Sequence, residues 1–295
     1  MSLTRETLRK IRTIEIVTER LVRDRMAGQY HSVFKGSGIS FSEVRQYQPG
    51  DDIRLIDWNV SARMNDAYIK LFTEEREMTV LLLVDMSASG RFGSAGQEKR
   101  ELAAEIAAVI AFSAIRNNDR VGLVVFTDRV EKFVPPKKGK KHVLRVVSEI
   151  LSFQPRHTGT KISAGLEFLG SIARRRTVAF LVSDFLSPIE SYERALRITS
   201  RRHDVIPVAV TDPLEEALPS VGLVEMEDPE TGDLVVFDTS GPEARVAERE
   251  AKKAADARQA LFRRLDMDAI AVRTDRPYLR ALSAFFEARA RRLRH

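Results

Sequence analysis

Five short apolar runs, set apart by stretches of helical spacing, constrain this chain more than any other feature. They lie at 80–84, 121–126, 178–182, 205–210 and 269–272. They are apolar throughout rather than alternating, so each is expected to be a strand buried on both faces. Helical stretches fall between and around them at 98–116, 143–151, 162–174, 189–201 and 243–265. Such alternation implies an α/β fold, a doubly wound and mostly parallel sheet with helices on both faces. The run 130–134 follows its neighbour after a turn of three residues, "TDR", and is expected to pair antiparallel at an edge. Segments 222–227 and 233–237 flank "DPETGD" and read as a hairpin inserted near 221–238.

Residues 1–77 read as an N-terminal elaboration and 78–295 as the α/β domain. In the elaboration, Leu8, Ile11, Ile14, Val17 and Leu21 repeat at helical spacing over residues ~4–26, and the segment stops at Gly28. A Gly- and Ser-rich stretch follows, with a turn signal at Pro49-Gly50-Asp51 and short strands expected on either side. Trp58, the only tryptophan, is expected to be a core anchor.

Composition narrows the class. At 43% hydrophobic and 31% charged, the chain reads as an ordinary globular protein. No apolar run approaches the ~20 residues that span a bilayer. The charged N-terminus argues against a secretory signal, and a cytoplasmic location is expected. With no cysteine, thiolate chemistry and disulfides are excluded. The net charge of +6 is concentrated in "PPKKGKK" (135–141), "ARRRT" (173–177) and the terminal "ARARRLRH", which read as solvated faces or helix ends.

Chemistry is expected where the strands end, since ligand sites in open parallel sheets gather beyond their carboxyl edge. The first run closes in Asp85, with Ser87 and Ser89 at alternate positions of the following loop, while Met86 and Ala88 point away. "TVAFLVSDF" ends in Asp184, and the loop "RHTGTKISAGL" carries Thr158 and Thr160. If those strands are neighbours, two carboxylates and several hydroxyls meet at one place. An all-oxygen set suits a hard cation such as Mg²⁺ and is wrong for zinc. Neutral hydroxyls leave the ion electrophilic and able to take an outside carboxylate.

Asp85-x-Ser87-x-Ser89, the "GT" loop and a later strand-end aspartate resemble the metal-ion-dependent adhesion site of von Willebrand factor A domains. The resemblance implies Asp85, Ser87, Ser89, Thr160 and Asp184 as the five metal positions, with Mg²⁺ as cofactor and Mn²⁺ or Ca²⁺ as alternatives. Phe185 stands where many such domains have glycine. "RQYQPGDDIRLIDWNVSAR" is foreign to ordinary A domains and resembles the signature of the bacterial family called domain of unknown function fifty-eight. That resemblance covers residues ~28–230. It implies an A-like domain with a β elaboration, a MoxR-type AAA+ ATPase as partner and a chaperone-like assembly role. Within the signature, Asp51, Asp52, Arg54, Asp57 and Arg63 admit two readings: turn-shaping and carboxylate-paired residues, or a second recognition surface.

The favoured function is a non-enzymatic, Mg²⁺-dependent protein-interaction module, whose partner supplies an acidic residue to the metal. Two alternatives stand beside it. In a phosphatase or hydrolase, Asp85 would be the nucleophile, but Ser87 holds the position where a second acid is wanted, and only His157 lies near enough to serve. Nucleic-acid binding through the basic runs is not expected, because no aromatic-studded basic groove is visible. No Gly-x-Ser-x-Gly elbow occurs.

Overall fold

Strands β1 (Ser40–Gln46) and β2 (Tyr68–Thr73) pair antiparallel around the Pro-Gly-Asp-Asp turn and helix α1 (Trp58–Met64). The computed structural model describes residues 9, 12–17, 29–30, 33–34, 40–73, 77–227 and 232–292. Most of the helix expected over residues ~4–26 lies outside them; 9 and 12–17 are helical. The chain divides into two compact units, Phe34–Met78 and the combination of Met1–Val33 with Thr79–His295. Tyr30 is buried in the large unit and donates a 3.0 Å hydrogen bond to Asp119.

Turn chemistry shapes the small unit. Asp51 accepts a two-pronged bond from Arg45 at 2.7 and 2.9 Å, and the Gln48 N–H at 2.8 Å. These hydrogen bonds hold its carboxyl below the usual aspartate value. Asp52 caps the turn Ile53–Leu55 through the Arg54 N–H, and Asp57 caps α1 through the Asn59 and Val60 N–H groups. Arg54 and Arg63 are exposed, and neither pairs with a carboxylate among the described residues. Trp58 is 72% exposed, against the expectation of a core anchor. It opens α1, a helix with no buried residue, and Ile69 is buried in this unit instead.

The large unit holds a six-stranded sheet in the order β10-β7-β6-β3-β4-β5. Its strands are β3 (Thr79–Asp85), β4 (Arg120–Phe126), β5 (Val130–Lys137), β6 (Val178–Ser183), β7 (Asp204–Thr211) and β10 (Ile270–Arg273). All five apolar runs are strands, and their mutual pairing is parallel. β5 runs antiparallel to β4 at the edge, where Pro135 and Pro136 cost no ladder bond to a further strand. The hairpin β8 (Leu223–Glu227) and β9 (Leu234–Asp238) forms a separate two-stranded sheet.

Helix α2 (Lys99–Arg116) is buried nearly all round, as its run of Ala, Ile and Val requires. On the opposite face lie α4 (Ile162–Ile172), α5 (Glu193–Ser200) and α7 (Pro242–Arg264), packed on Leu81, Leu83, Phe126 and Leu181. α3 (Lys140–Ser152) follows β5, and the short α6 (Pro213–Glu216) follows β7. The long helix α8 (Tyr278–Arg292) escapes the sequence reading, and it ends in the basic run expected to be solvated. Its Arg289 is buried, paired with Asp204 and lying 3.4 Å from Asp268.

After β4 and β5 the chain crosses back to the far side of β3 to form β6. The carboxyl ends of β3 and β6 thus flank the point where winding reverses, the place where open α/β sheets carry ligands.

Candidate metal centre

Val84 pairs with Val182, which sets Asp85 beside Ser183 and brings Asp184 to the same crevice. One Asp85 oxygen accepts the Ser87 N–H at 3.0 Å and the other the Ser183 hydroxyl at 2.7 Å. The Ser87 and Ser89 hydroxyls lie 3.1 Å apart. The Ala88 N–H donates to the Thr158 carbonyl at 2.9 Å, tying the serine turn to the threonine loop. Asp85, Ser87, Ser89 and Asp184 line one cleft of about 20 Å³, room for a single water-sized body. Thr160 is half-buried in the adjoining loop and is not among the residues lining that cleft.

The loop after β6 keeps a left-handed residue where glycine is usual: Phe185 has φ of +55°. For a bulky side chain this is a strained conformation, costing about 1–3 kcal/mol. Burial of the ring offsets it, edge-on to Tyr192 at 5.8 Å and to Phe262 at 5.4 Å. The turn lets the Leu186 N–H reach Asp184 at 3.2 Å.

Lys99 is the participant that sequence reasoning missed. Its ammonium is 2% exposed, 2.7 Å from Asp184 and in contact with Glu215. Burial pulls the ammonium down, but Asp184 and Glu215 together outweigh it and hold it above the usual lysine value. Glu215 is pushed up by burial despite Lys99. It belongs to α6, whose cap Asp212 is fully buried and accepts bonds from Ser94, Thr274 and the Leu214 N–H. Asp85, desolvated and facing Asp184, is pushed up to about 6. A signal for Lys99 does exist in the sequence. It lies at i, i+3, i+4, i+7 spacing with Leu102, Ala103 and Ile106, on the buried stripe of α2.

The donor set fits a hard cation. At a Mg–O distance of 2.0–2.1 Å, adjacent octahedral ligands stand about 2.9 Å apart, close to the separation of the two serine oxygens. Asp85 and Asp184 line the cleft together with Lys99 and Arg100, whose further partners Glu215 and Glu98 bring the local balance to two negative charges. Among the described residues no three His, Cys, Asp or Glu side chains gather in metal-holding geometry, so the hydroxyls are essential to the set.

The sheet order, the antiparallel edge and the crevice at the winding reversal define a von Willebrand factor A-like α/β domain. The chain belongs to the family described as "Protein of unknown function DUF58", whose model matches residues 43–259. It is 33% identical over 285 residues to "Uncharacterized protein Rv1480" of Mycobacterium tuberculosis, covering 95% of this chain and 89% of that one. Among solved structures, BatB from Bacteroides thetaiotaomicron aligns with 72% of this chain and 99% of its own, at 17% identity and a TM-score of 0.46. The SpRpn10 VWA domain covers 72% of this chain and 95% of its own, at 13% identity and a TM-score of 0.39.

Proposed function

We propose that this chain is a non-enzymatic protein-interaction module that binds Mg²⁺, or Mn²⁺ or Ca²⁺ in its place, at the strand-end cleft. The carrying observation is the convergence of Asp85, Ser87, Ser89 and Asp184 on one ion-sized space, with the serine oxygens 3.1 Å apart. When bound, the ion offers a positive site to a carboxylate from outside. Ser87 and Ser89 present neutral oxygens that leave its charge largely unspent. Asp85 and Asp184 are each engaged by protein donors and supply charge at a remove; Lys99 moderates that charge. The partner we propose is a MoxR-type AAA+ ATPase or its client, with an assembly or maturation role, as the family resemblance implies.

Two observations favour this reading over its rivals. Ser87 stands where a leaving-group acid would be wanted, which tells against hydrolysis at Asp85. Two arginines of the terminal basic run, Arg289 and Arg292, are paired to Asp204, Asp266 and Asp268, which tells against their forming a nucleic-acid surface.

Titration calorimetry with MgCl₂ and MnCl₂ tests the site. Saturable binding is expected, weakened at least about tenfold in Asp85→Ala and in Ser87→Ala, a loss of some 1.4 kcal/mol. Capture of the ATPase on immobilised protein should fall with EDTA and with Asp85→Ala. Capture indifferent to both would refute the metal-dependent interaction.

A further inference from the structure

A second, larger cavity opens on the same edge of the sheet, at the carboxyl ends of β7 and β10 and beside α7 and the start of α8. Its volume is about 530 Å³, within the range of small-molecule sites. Four arginines line it, Arg258, Arg273, Arg276 and Arg280, against the carboxylates of Glu216 and Asp256, an excess of two positive charges.

The arginines are not equally committed. Arg273 is saturated, held by Glu216 at 2.7 Å and by Asp275 at 3.0 and 3.1 Å, and forms a fixed wall. Arg258 spends one N–H on the Asp184 carbonyl at 3.1 Å and has no carboxylate partner among the described residues. Arg276 reaches Asp275 only at 3.9 Å, too far for a hydrogen bond. Arg280 makes no ion pair with any described residue. Three arginines with donors unspent thus line one cavity. A concave wall of one sign focuses potential and raises the local concentration of the opposite ion. Guanidinium forks match the oxygens of phosphate in pairs.

We propose that this cavity binds a small molecule bearing a phosphate or diphosphate group, through Arg258, Arg276 and Arg280. Aromatic rings that could stack a nucleobase do not define it: Tyr278 is the sole aromatic among the lining residues, and its hydroxyl is engaged by Glu105. Recognition is therefore of the phosphoryl group rather than of a base. The site is independent of the metal cleft in its ligands, although Arg258 also binds the Asp184 carbonyl and Glu216 follows Glu215, the partner of Lys99.

Inorganic pyrophosphate, titrated into the full chain in EDTA at fixed ionic strength, tests the proposal without recourse to any metal. Saturable one-to-one binding is expected. The double variant Arg276→Gln/Arg280→Gln should weaken it at least about tenfold, the worth of one charge-assisted hydrogen bond. Lys252→Gln/Lys253→Gln removes the same charge from the exposed surface of α7 outside the cavity and should change affinity by less than about twofold. Arg276 and Arg280 are both exposed, so unchanged thermal melting will show that the variant is folded. No saturable binding, or equal losses in the two double variants, would overturn the site. Binding only of an Asp/Glu-rich peptide, with pyrophosphate inert, would overturn it as well.

Discussion

At the residue scale, Lys99 decides how the strand-end cleft behaves. A buried ammonium between two carboxylates is a resident cation on a tether, and it competes with any divalent ion for Asp184. Lys99→Met keeps the volume and deletes the charge, leaving Asp184 and Glu215 uncompensated in the interior. Breaking such a buried pair costs about 3–5 kcal/mol. Denaturant unfolding in EDTA should show a loss of that order. Mg²⁺ should then bind the variant more tightly than the native chain and restore part of the lost stability. Weaker Mg²⁺ binding by a folded Lys99→Met protein would show that Lys99 supports the ion instead of opposing it. The oxygen donors themselves were legible, because Asp85, Ser87 and Ser89 are neighbours in sequence and Asp184 ends a recognisable strand. Lys99 was not read, although its place on the buried stripe of α2 marks it, because its partners lie 85 and 116 residues away in the chain.

At the scale of elements, apolar run length carried the fold. Strands buried on both faces have no polar side to confuse the pattern, so all five were readable within a residue or two. The helices were readable wherever one face stayed apolar. α8 was lost because its arginines dominate the eye, although Leu282, Phe285, Phe286 and Arg289 repeat at helical spacing and all are buried. α1 was lost because seven residues carry too little periodicity to separate helix from strand. The register of α4 over the sheet depends on a glycine: a Cβ at Gly165 would stand 2.9–3.3 Å from the Phe126 ring. Gly165→Ala gains up to about 1 kcal/mol of helix propensity. It also overpacks a rigid aromatic contact, which costs about 1–3 kcal/mol. The second effect should win, lowering stability by roughly 1–2 kcal/mol. A variant as stable as the native chain would mean that Phe126 and α4 yield more easily than their burial suggests.

At the scale of the whole molecule, two units of unequal interior share one chain. The large unit buries six strands between helix layers, with Val80 to Val84 and Val121 to Phe126 withdrawn from solvent. The small unit has a two-stranded sheet, and among the side chains described there Phe34 and Ile69 are the buried hydrophobics. Two strands alone are marginally stable in water, and local opening energies range from near zero up to the global value. Only Trp58 was expected to anchor a core here, and its exposure, with that of Ile53 and Met64, shows that turn and cap hydrogen bonds, not burial, shape this unit. Hydrogen exchange should therefore be two-tiered. Amides of β1 and β2 are expected to exchange at least about a hundredfold faster than those of β3, β4 and β6, a difference of some 2.8 kcal/mol in opening free energy. Protection in β1 and β2 should stay unchanged when Mg²⁺ is added. Equal protection across both sheets in the free chain would show instead that the small unit opens only with the large one.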